Sequence, residues 1–262
     1  MRRKIINAIQ HLESEYKVEV IFASESGSRA YGTDTANSDH DIRFIYVNSL
    51  RNYLNVVKSS DSIVEKYDVE LELHGWDLLK VGPLLIKSNP SLYEALFSPE
   101  IYFEKVKGID QFRHLAREFY SRKTLFIHYR KILKSNLKSI KVIREKETVS
   151  YTDLKTIIQA IRALLAAQFI LKYQLLPPVV LSELIELTSN TESQKALYMM
   201  VVRKKQAGID NPKSIIMEHE VNEIYRFLSQ EHELLHEKEL LLPESKINKQ
   251  DVNHIVWDIL GI

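Results

Sequence analysis

The pattern of apolar and polar positions changes character near residue 108. Before this point the apolar runs are short, and they alternate with Gly, Ser, Asn and Pro. This pattern predicts a first helix over 2–16, followed by short strands and short helices. The predicted strands cover 18–23, 41–47 and 67–74, with a further short element at 52–57. Two short helices are expected to follow, after an Asp77 N-cap and after the break at Asn89–Pro90.

After residue 108 the apolar positions repeat with a helical period of about 3.6 residues. The stretches with this period are 110–145, 152–174, 180–188, 192–206, 214–241 and 250–259, separated by Pro177–Pro178, Gly208, Asn211–Pro212 and Pro243. We therefore expect an α/β (α+β) domain with a mixed sheet over 1–108, followed by an all-helical domain over 109–262.

Composition narrows the class of protein. The 262 residues include 36 Lys and Arg against 35 Asp and Glu, and no Cys. The net charge of +1 excludes a strongly basic nucleic-acid coat protein. The lack of Cys excludes disulfide frameworks, thiolate zinc sites and cysteine nucleophiles. A charged N-terminus and the lack of an evident run of about 18 apolar residues predict a cytoplasmic protein that does not span a membrane.

The segment from Glu25 to Arg43 carries the candidate chemistry. Gly27 and Ser28 follow a predicted strand and open a short helix, a context in which backbone amides and a hydroxyl bind phosphate. Asp39 and Asp41 lie two positions apart at the next strand, so both project from one face about 7 Å apart. Two such carboxylates repel each other unless a divalent cation lies between them, and Mg²⁺ prefers oxygen ligands and substrate phosphates.

A third carboxylate is expected from the strand at 67–74, where Glu70 and Glu72 project from one face. Either residue could serve a second metal or accept the proton of an attacking hydroxyl. A lone Gly-Ser or Asp-x-Asp is uninformative, but the combination in this order indicates phosphoryl or nucleotidyl transfer.

This order of motifs resembles the DNA polymerase β-type nucleotidyltransferase superfamily. The runs ESGSRAYG and SDHDIRFIYV, then ELHGWDLLK and KSNPSLYEALFSPEIYF, are similar to one branch of it, the YcgL/RlaP family of nucleotidyltransferases. The resemblance extends through LFIHYR and DLKTIIQAIRALLAAQFI, and it weakens beyond about residue 190.

The resemblance implies specific roles. Gly27 and Ser28 would hold the β- and γ-phosphates of a nucleoside triphosphate, while Asp39 and Asp41 would bind two Mg²⁺ or Mn²⁺ ions. Glu72 matches the third acidic position, where the family usually has Asp, so Glu70 remains an alternative ligand.

Five further residues are candidates for nucleotide binding, and each also has a structural explanation. Arg29 and Arg43 flank the site and suit phosphate recognition, or they pair with the aspartates. The resemblance also places Tyr129, Lys155 and Arg162 near the nucleotide, whereas on their own they could belong to an ordinary helix face.

Other charged and apolar patterns have structural explanations. The run Arg203–Lys205 near a helix end is expected to be solvated. The basic stripe Arg130, Lys134, Lys138 and Lys141 is typical of a solvated face, with a nucleic-acid contact as the alternative. Apolar stripes in 192–207 and 218–242 are typical of a helical core or of a homo-oligomer interface.

The function implied by the resemblance is metal-dependent transfer of a nucleoside monophosphate from a nucleoside triphosphate to a hydroxyl acceptor. The acceptor is undetermined: an RNA end, as the family's association with RNA repair suggests, a protein or a small molecule. The alternative is a non-catalytic sensor or partner-binding module that binds the triphosphate on the same fold.

Overall fold

The computed structural model describes residues 1–57, 59–146, 148–189, 191–207, 218–236 and 238–262. These form two compact units. We call residues 1–30, 38–120 and 245–262 the sheet unit, and residues 31–37 and 121–244 the helical unit.

The sheet unit is built on five strands, β1 (Glu19–Ser26), β2 (His40–Val47), β3 (Ser62–Asp68), β4 (Leu71–Asp77) and β5 (Ile101–Glu104). Their spatial order is β3-β4-β2-β1-β5. β2 and β4 run parallel, and the other neighbouring pairs are antiparallel. The predicted mixed sheet is therefore confirmed.

Helices are numbered along the whole chain. Those of the sheet unit are α1 (Arg2–Tyr16), α2 (Gly27–Ala30), α3 (Leu50–Tyr53), α4 (Leu78–Ile86), α5 (Pro90–Leu96), α6 (Gly108–Phe119) and α12 (Lys249–Leu260). The predicted Asp77 cap is confirmed, since its side chain accepts from the Leu79 amide, and Asn89 caps α5 in the same way. The apolar face of α1 packs with the inner residues of the strands to form a buried core.

Three expectations for this half were wrong in detail. The single strand over 67–74 is the end of β3, a turn and the start of β4, and Val69 in that turn is 86% exposed. The short element near 52–57 is helix α3 at 50–53, and β5 was not predicted.

The helical unit contains α7 (Arg122–Ile143), α8 (Tyr151–Tyr173), α9 (Leu181–Thr188), α10 (Glu192–Gln206), α11 (Glu218–Leu234) and a 3₁₀ helix (Lys238–Leu241). The helical second half is thus confirmed. A capping box of Ser150 and Asp153 starts α8. Contrary to the expectation that no such run exists, α8 is long and apolar enough to cross a membrane, but 72% of that window is buried, as in a core helix.

The helix expected over 110–145 is two helices. Ser121 interrupts it because its side chain accepts from the Thr124 amide and begins α7. The predicted domain boundary at residue 108 falls at the first residue of α6, which belongs with α12 to the sheet unit. The predicted breaks at Gly208 and Asn211–Pro212 lie outside the described residues.

Candidate active site

The turn from β1 into α2 places Gly27 against Asp41. β1 and β2 pair so that Ser26 lies opposite Asp41, and Gly27 follows with φ +64°. A Cβ at Gly27 would clash with Asp41 Oδ2 and lie 3.3 Å from Asp41 Cγ. Glycine therefore lets the Asp41 carboxylate pack on the backbone that leads into Ser28.

The parallel pairing of β2 with β4 places Glu72 beside Asp41. The two residues are partners in the register of these strands. Both are half-buried, and His74 and Lys66 lie 3.9 Å from the two Glu72 oxygens. Glu70 instead lies in the exposed turn before β4, where its carboxylate is 3.3 Å from Lys4 Nζ. Of the two alternatives, the structure brings Glu72 to the site.

Asp39 lies just before β2 and is exposed, whereas Asp41 is half-buried. Burial raises the pKa of Asp41, and the negative charges of Asp39 and Glu72 raise it further, while Arg43 and His74 oppose the shift. Burial is the largest cause of the raised pKa, so the neutral form of Asp41 is favoured over an uncompensated carboxylate. A cation or a proton is therefore favoured here.

The two candidate arginines occupy different settings. The Arg29 guanidinium donates to the backbone carbonyls of Ser38, at 2.5 Å, and Asp39, at 3.2 Å. Arg29 thus fixes the chain that carries Asp39. Arg43 shares the half-buried face of β2 with Asp41, and its guanidinium lies 6.0 Å from the centre of the Trp76 ring.

Glu25 is a residue of this site that sequence reasoning missed. It is 1% exposed, and its Oε1 accepts from the Asp41 amide at 3.0 Å. Its Oε2 lies 2.7 Å from His40 Nδ1 and accepts from the Tyr102 hydroxyl at 2.5 Å. Glu25 therefore joins β1, β2 and β5 through its contacts with Asp41, His40 and Tyr102. Glu25 is the second acid of β1 and is flanked by Ser24 and Ser26, so the sequence carried no distinct signal of its burial.

His40 itself behaves as expected from alternation. It points to the face opposite Asp41, is 8% exposed and binds Glu25. This burial and the contact with Glu25 place His40 in the core of the sheet unit, away from the candidate metal ligands.

In the helical unit the structure brings Tyr129 and Arg162 together. The Arg162 guanidinium lies 3.8 Å from the centre of the Tyr31 ring and 5.9 Å from that of Tyr129. Arg162 is 7% exposed and Tyr129 is 3% exposed. This burial favours packing over direct contact with a nucleotide. Lys155 is exposed on α8.

The charged run Arg203–Lys205 is not uniformly solvated, and the expectation for Lys205 was wrong. Lys205 is 1% exposed, and its ammonium donates to the Thr33 carbonyl. A buried ammonium needs such a partner because desolvation is costly. Lys204 pairs with Glu220 at 2.6 Å.

The donor set suits a hard cation. Asp41, Asp39 and Glu72 offer carboxylate oxygens, which Mg²⁺ and Mn²⁺ prefer. Within the described ranges, no group of three or more His, Asp or Glu side chains comes close enough to hold a metal by itself. Mg²⁺ commonly uses one or two carboxylates and completes its shell with water and substrate phosphate, so these residues fit such an ion.

Comparison with known proteins decides the family. Residues 1–258 match the family described as "RlaP: RNA repair pathway DNA polymerase beta family". The chain belongs to the RlaP family. It is also 30% identical over 253 residues to YcgL of Bacillus subtilis (strain 168), covering 96% of this chain and 92% of that protein.

The RlaP match extends over both units, since it ends four residues before the C-terminus. A solved nucleotidyltransferase-like protein from Exiguobacterium sibiricum 255-15 is 16% identical, with a TM-score of 0.42 and coverage of 89% of this chain and 77% of that one. Membership of the RlaP family indicates a polymerase β-like nucleotidyltransferase.

Proposed function

We propose that this protein transfers a nucleoside monophosphate from a nucleoside triphosphate to a hydroxyl acceptor, with Mg²⁺ or Mn²⁺ as cofactor. One observation carries the proposal: the Asp41 carboxylate packs on Gly27 and lies in register with Glu72. A phosphate-binding turn and two acidic strand positions thereby share one edge of the sheet.

Some of these residues bind the triphosphate, and others support the fold around it. The Gly27 backbone and the Ser28 hydroxyl bind the β- and γ-phosphates, and Arg43 adds positive charge on the same face of β2 as Asp41. Lys155 is exposed on α8, and its role as a phosphate contact stays a prediction from the family resemblance. Tyr129 and Arg162 are buried, so we assign them to the support of the helical unit.

The reaction is an in-line displacement. The acceptor oxygen forms a bond to the α-phosphorus, and the bond from that phosphorus to the pyrophosphate oxygen breaks. The hydroxyl proton passes to the Glu72 carboxylate, which the β2–β4 register places beside Asp41. Two divalent ions held by Asp39, Asp41 and Glu72 would supply charge neutralisation for the triphosphate and a lowered pKa for the acceptor hydroxyl.

The acceptor we favour is an RNA end, because the family description names RNA repair. A protein or small-molecule hydroxyl would use the same groups. Cytoplasmic location and assembly into a homo-oligomer stay predictions from the sequence.

The test is nucleotide binding with and without Mg²⁺, followed by measurement of pyrophosphate release in the presence of total RNA or cell protein. We expect Mg²⁺-dependent binding and release, both lost in Asp41→Asn, with Glu70→Gln as the control that retains them. Binding without pyrophosphate release from any of the four triphosphates would support the sensor alternative instead.

A further inference from the structure

The segment between α2 and β2 contacts a buried lysine of the helical unit. Residues 31–37 begin three positions after Ser28 and end two positions before Asp39, and they belong to the helical unit. Both ends of this short segment therefore lead directly to proposed substrate- and metal-binding residues. We call residues 31–37 the connecting segment.

Lys205 of α10 makes the central contact to this segment. Its ammonium donates to the Thr33 carbonyl, and Thr33 is itself only 3% exposed. Tyr151, at the start of α8, hydrogen-bonds Lys205 and places its hydroxyl 3.4 Å from Thr35 Oγ1. The Lys205 ammonium therefore bridges the segment and α8.

Neighbouring contacts hold the first half of the connecting segment. The Tyr31 carbonyl accepts from the Leu181 amide at 3.0 Å, and the Gly32 carbonyl accepts from Gln206 Nε2 at 3.1 Å. Arg162 covers the Tyr31 ring. These neighbours are neutral groups or a ring contact, whereas Lys205 places a buried positive charge on a backbone carbonyl.

Burying the Lys205 ammonium lowers the stability of the folded protein, so folding by itself does not account for a lysine here. Burial lowers the pKa of Lys205, and Lys155 lowers it further, while Tyr151 and Asp34 oppose this. A buried hydrophobic side chain would pack at this position of α10 without that cost. The presence of an ammonium here is explained if the protein requires the connecting segment to be held in one position.

We propose that Lys205 is a positioning residue that fixes the connecting segment and thereby the approach of Ser28 and Asp39 to the nucleoside triphosphate. The role rests on the proposed nucleotidyl transfer, but the anchoring of the segment is measurable without any activity.

The first measurement is amide hydrogen exchange of residues 31–37 in the full-length protein. A hydrogen bond from a charged donor is strong enough that its loss in Lys205→Met should raise exchange roughly 10- to 100-fold. Lys204→Met is the matched control: it removes the neighbouring lysine of α10 and its contact with Glu220, and should leave exchange of the segment unchanged. Unchanged exchange in Lys205→Met overturns the proposal whatever the activity.

The second measurement is the kinetics of pyrophosphate release. We expect Lys205→Met to raise KM for the triphosphate and to lower kcat, each about tenfold or more, while Lys205→Arg, which can also donate, recovers most of the loss. If Lys205→Met speeds exchange but leaves both constants at the wild-type values, Lys205 is only structural and the positioning role is overturned.

Tyr151→Phe provides a second variant should Lys205→Met fail to fold. It removes the hydroxyl beside Thr35 while leaving the lysine in place, and should raise exchange of the segment by a smaller factor. No rise in exchange in that variant counts against the anchoring. Failure of the proposed function is separate: it appears as a wild-type protein that releases no pyrophosphate while the exchange results stand.

Discussion

The Asp41 carboxylate occupies the space that a side chain at Gly27 would fill. A Cβ at Gly27 would clash with Asp41 Oδ2, and Gly27 has φ +64°, a conformation that L-residues rarely adopt. Two requirements, backbone angle and close approach, thus select glycine at one position. The turn at Gly27 and the strand that carries Asp41 depend on each other through this contact.

Gly27→Ala should destabilise the protein by more than the backbone strain at this position, and it should also disturb the site. The left-handed conformation costs an alanine about 1–2 kcal/mol, and the collision with Asp41 adds to this and displaces the carboxylate. We expect a lower free energy of unfolding in a urea titration and loss of pyrophosphate release.

Gly261→Ala is the matched control, because Gly261 has φ +72° and nothing within 4 Å of an added Cβ. It should show the conformational cost and keep activity. Equal destabilisation of the two variants, with activity retained in both, would contradict the close contact.

Glu25→Gln should destabilise the sheet unit by about 1–3 kcal/mol. The buried carboxylate accepts from the Asp41 amide and the Tyr102 hydroxyl and lies 2.7 Å from His40 Nδ1, and a glutamine amide would direct a donor at one of these partners. Glu100→Gln removes an ion pair with Arg2 in which both side chains are about half exposed. This change should lower the free energy of unfolding by less than about 1 kcal/mol. Thermal unfolding of both variants measures the difference, and similar small losses would show that Glu25 does not support β2.

Glu72→Gln and Glu70→Gln should separate the two candidate acids. Glu72 lies in register with Asp41, so its loss should slow turnover roughly 10²-fold or more. Glu70 lies in the exposed turn beside Lys4, so its replacement should leave turnover near wild type. Steady-state pyrophosphate release compares the two, and equal mild effects would remove both from the site.

Stability should depend on pH through Asp41 in metal-free buffer. Because the folded-state pKa is raised above the ordinary value of 3.8, the folded protein holds this proton more tightly than the unfolded chain. The wild type should therefore lose stability relative to Asp41→Asn as the pH rises from about 3.8 through the raised pKa, and no further above it. Urea titrations between about pH 3.5 and 7 measure this.

Asp61 serves as the control, because its pKa is shifted in the opposite direction and stability should change with pH in the opposite direction. Lys80, 2.7 Å away, lowers the pKa of Asp61 below 3.8. The wild type should therefore gain stability over Asp61→Asn as the pH rises through that lower pKa, and the gain should be complete above pH 3.8. The same sign for both residues would contradict the raised pKa of Asp41.

Sequence pattern predicted β1, β2 and the turn at Gly27 between them, because these depend on local spacing. It left Glu70 and Glu72 undecided because the alternation of apolar residues continues through a turn. That turn has no Gly, Pro or Asn at its centre; Asp68 forms it by accepting from the Glu70 amide at 2.8 Å. Register across the sheet, which sequence does not give, separated the two acids.

The burial of Lys205 is a second feature that sequence pattern could not predict. A run of three basic residues at a helix end is typical of a solvated surface, but Lys205 finds its partner at Thr33, 172 positions away. No periodicity or composition encodes such a pairing. Glu25, which is flanked by Ser24 and Ser26 in β1, likewise carried no distinct signal, and its partners His40 and Tyr102 became visible only through the neighbouring strands.

The central claim is tested most directly by comparing α- and γ-phosphate-labelled triphosphates. The wild type, with Mg²⁺ and total RNA or cell protein, should place the α-label on an acceptor and release the γ-label as pyrophosphate, and Asp41→Asn should do neither. Transfer of the γ-label to the acceptor, or label transfer undiminished in Asp41→Asn, would contradict nucleotidyl transfer at this site.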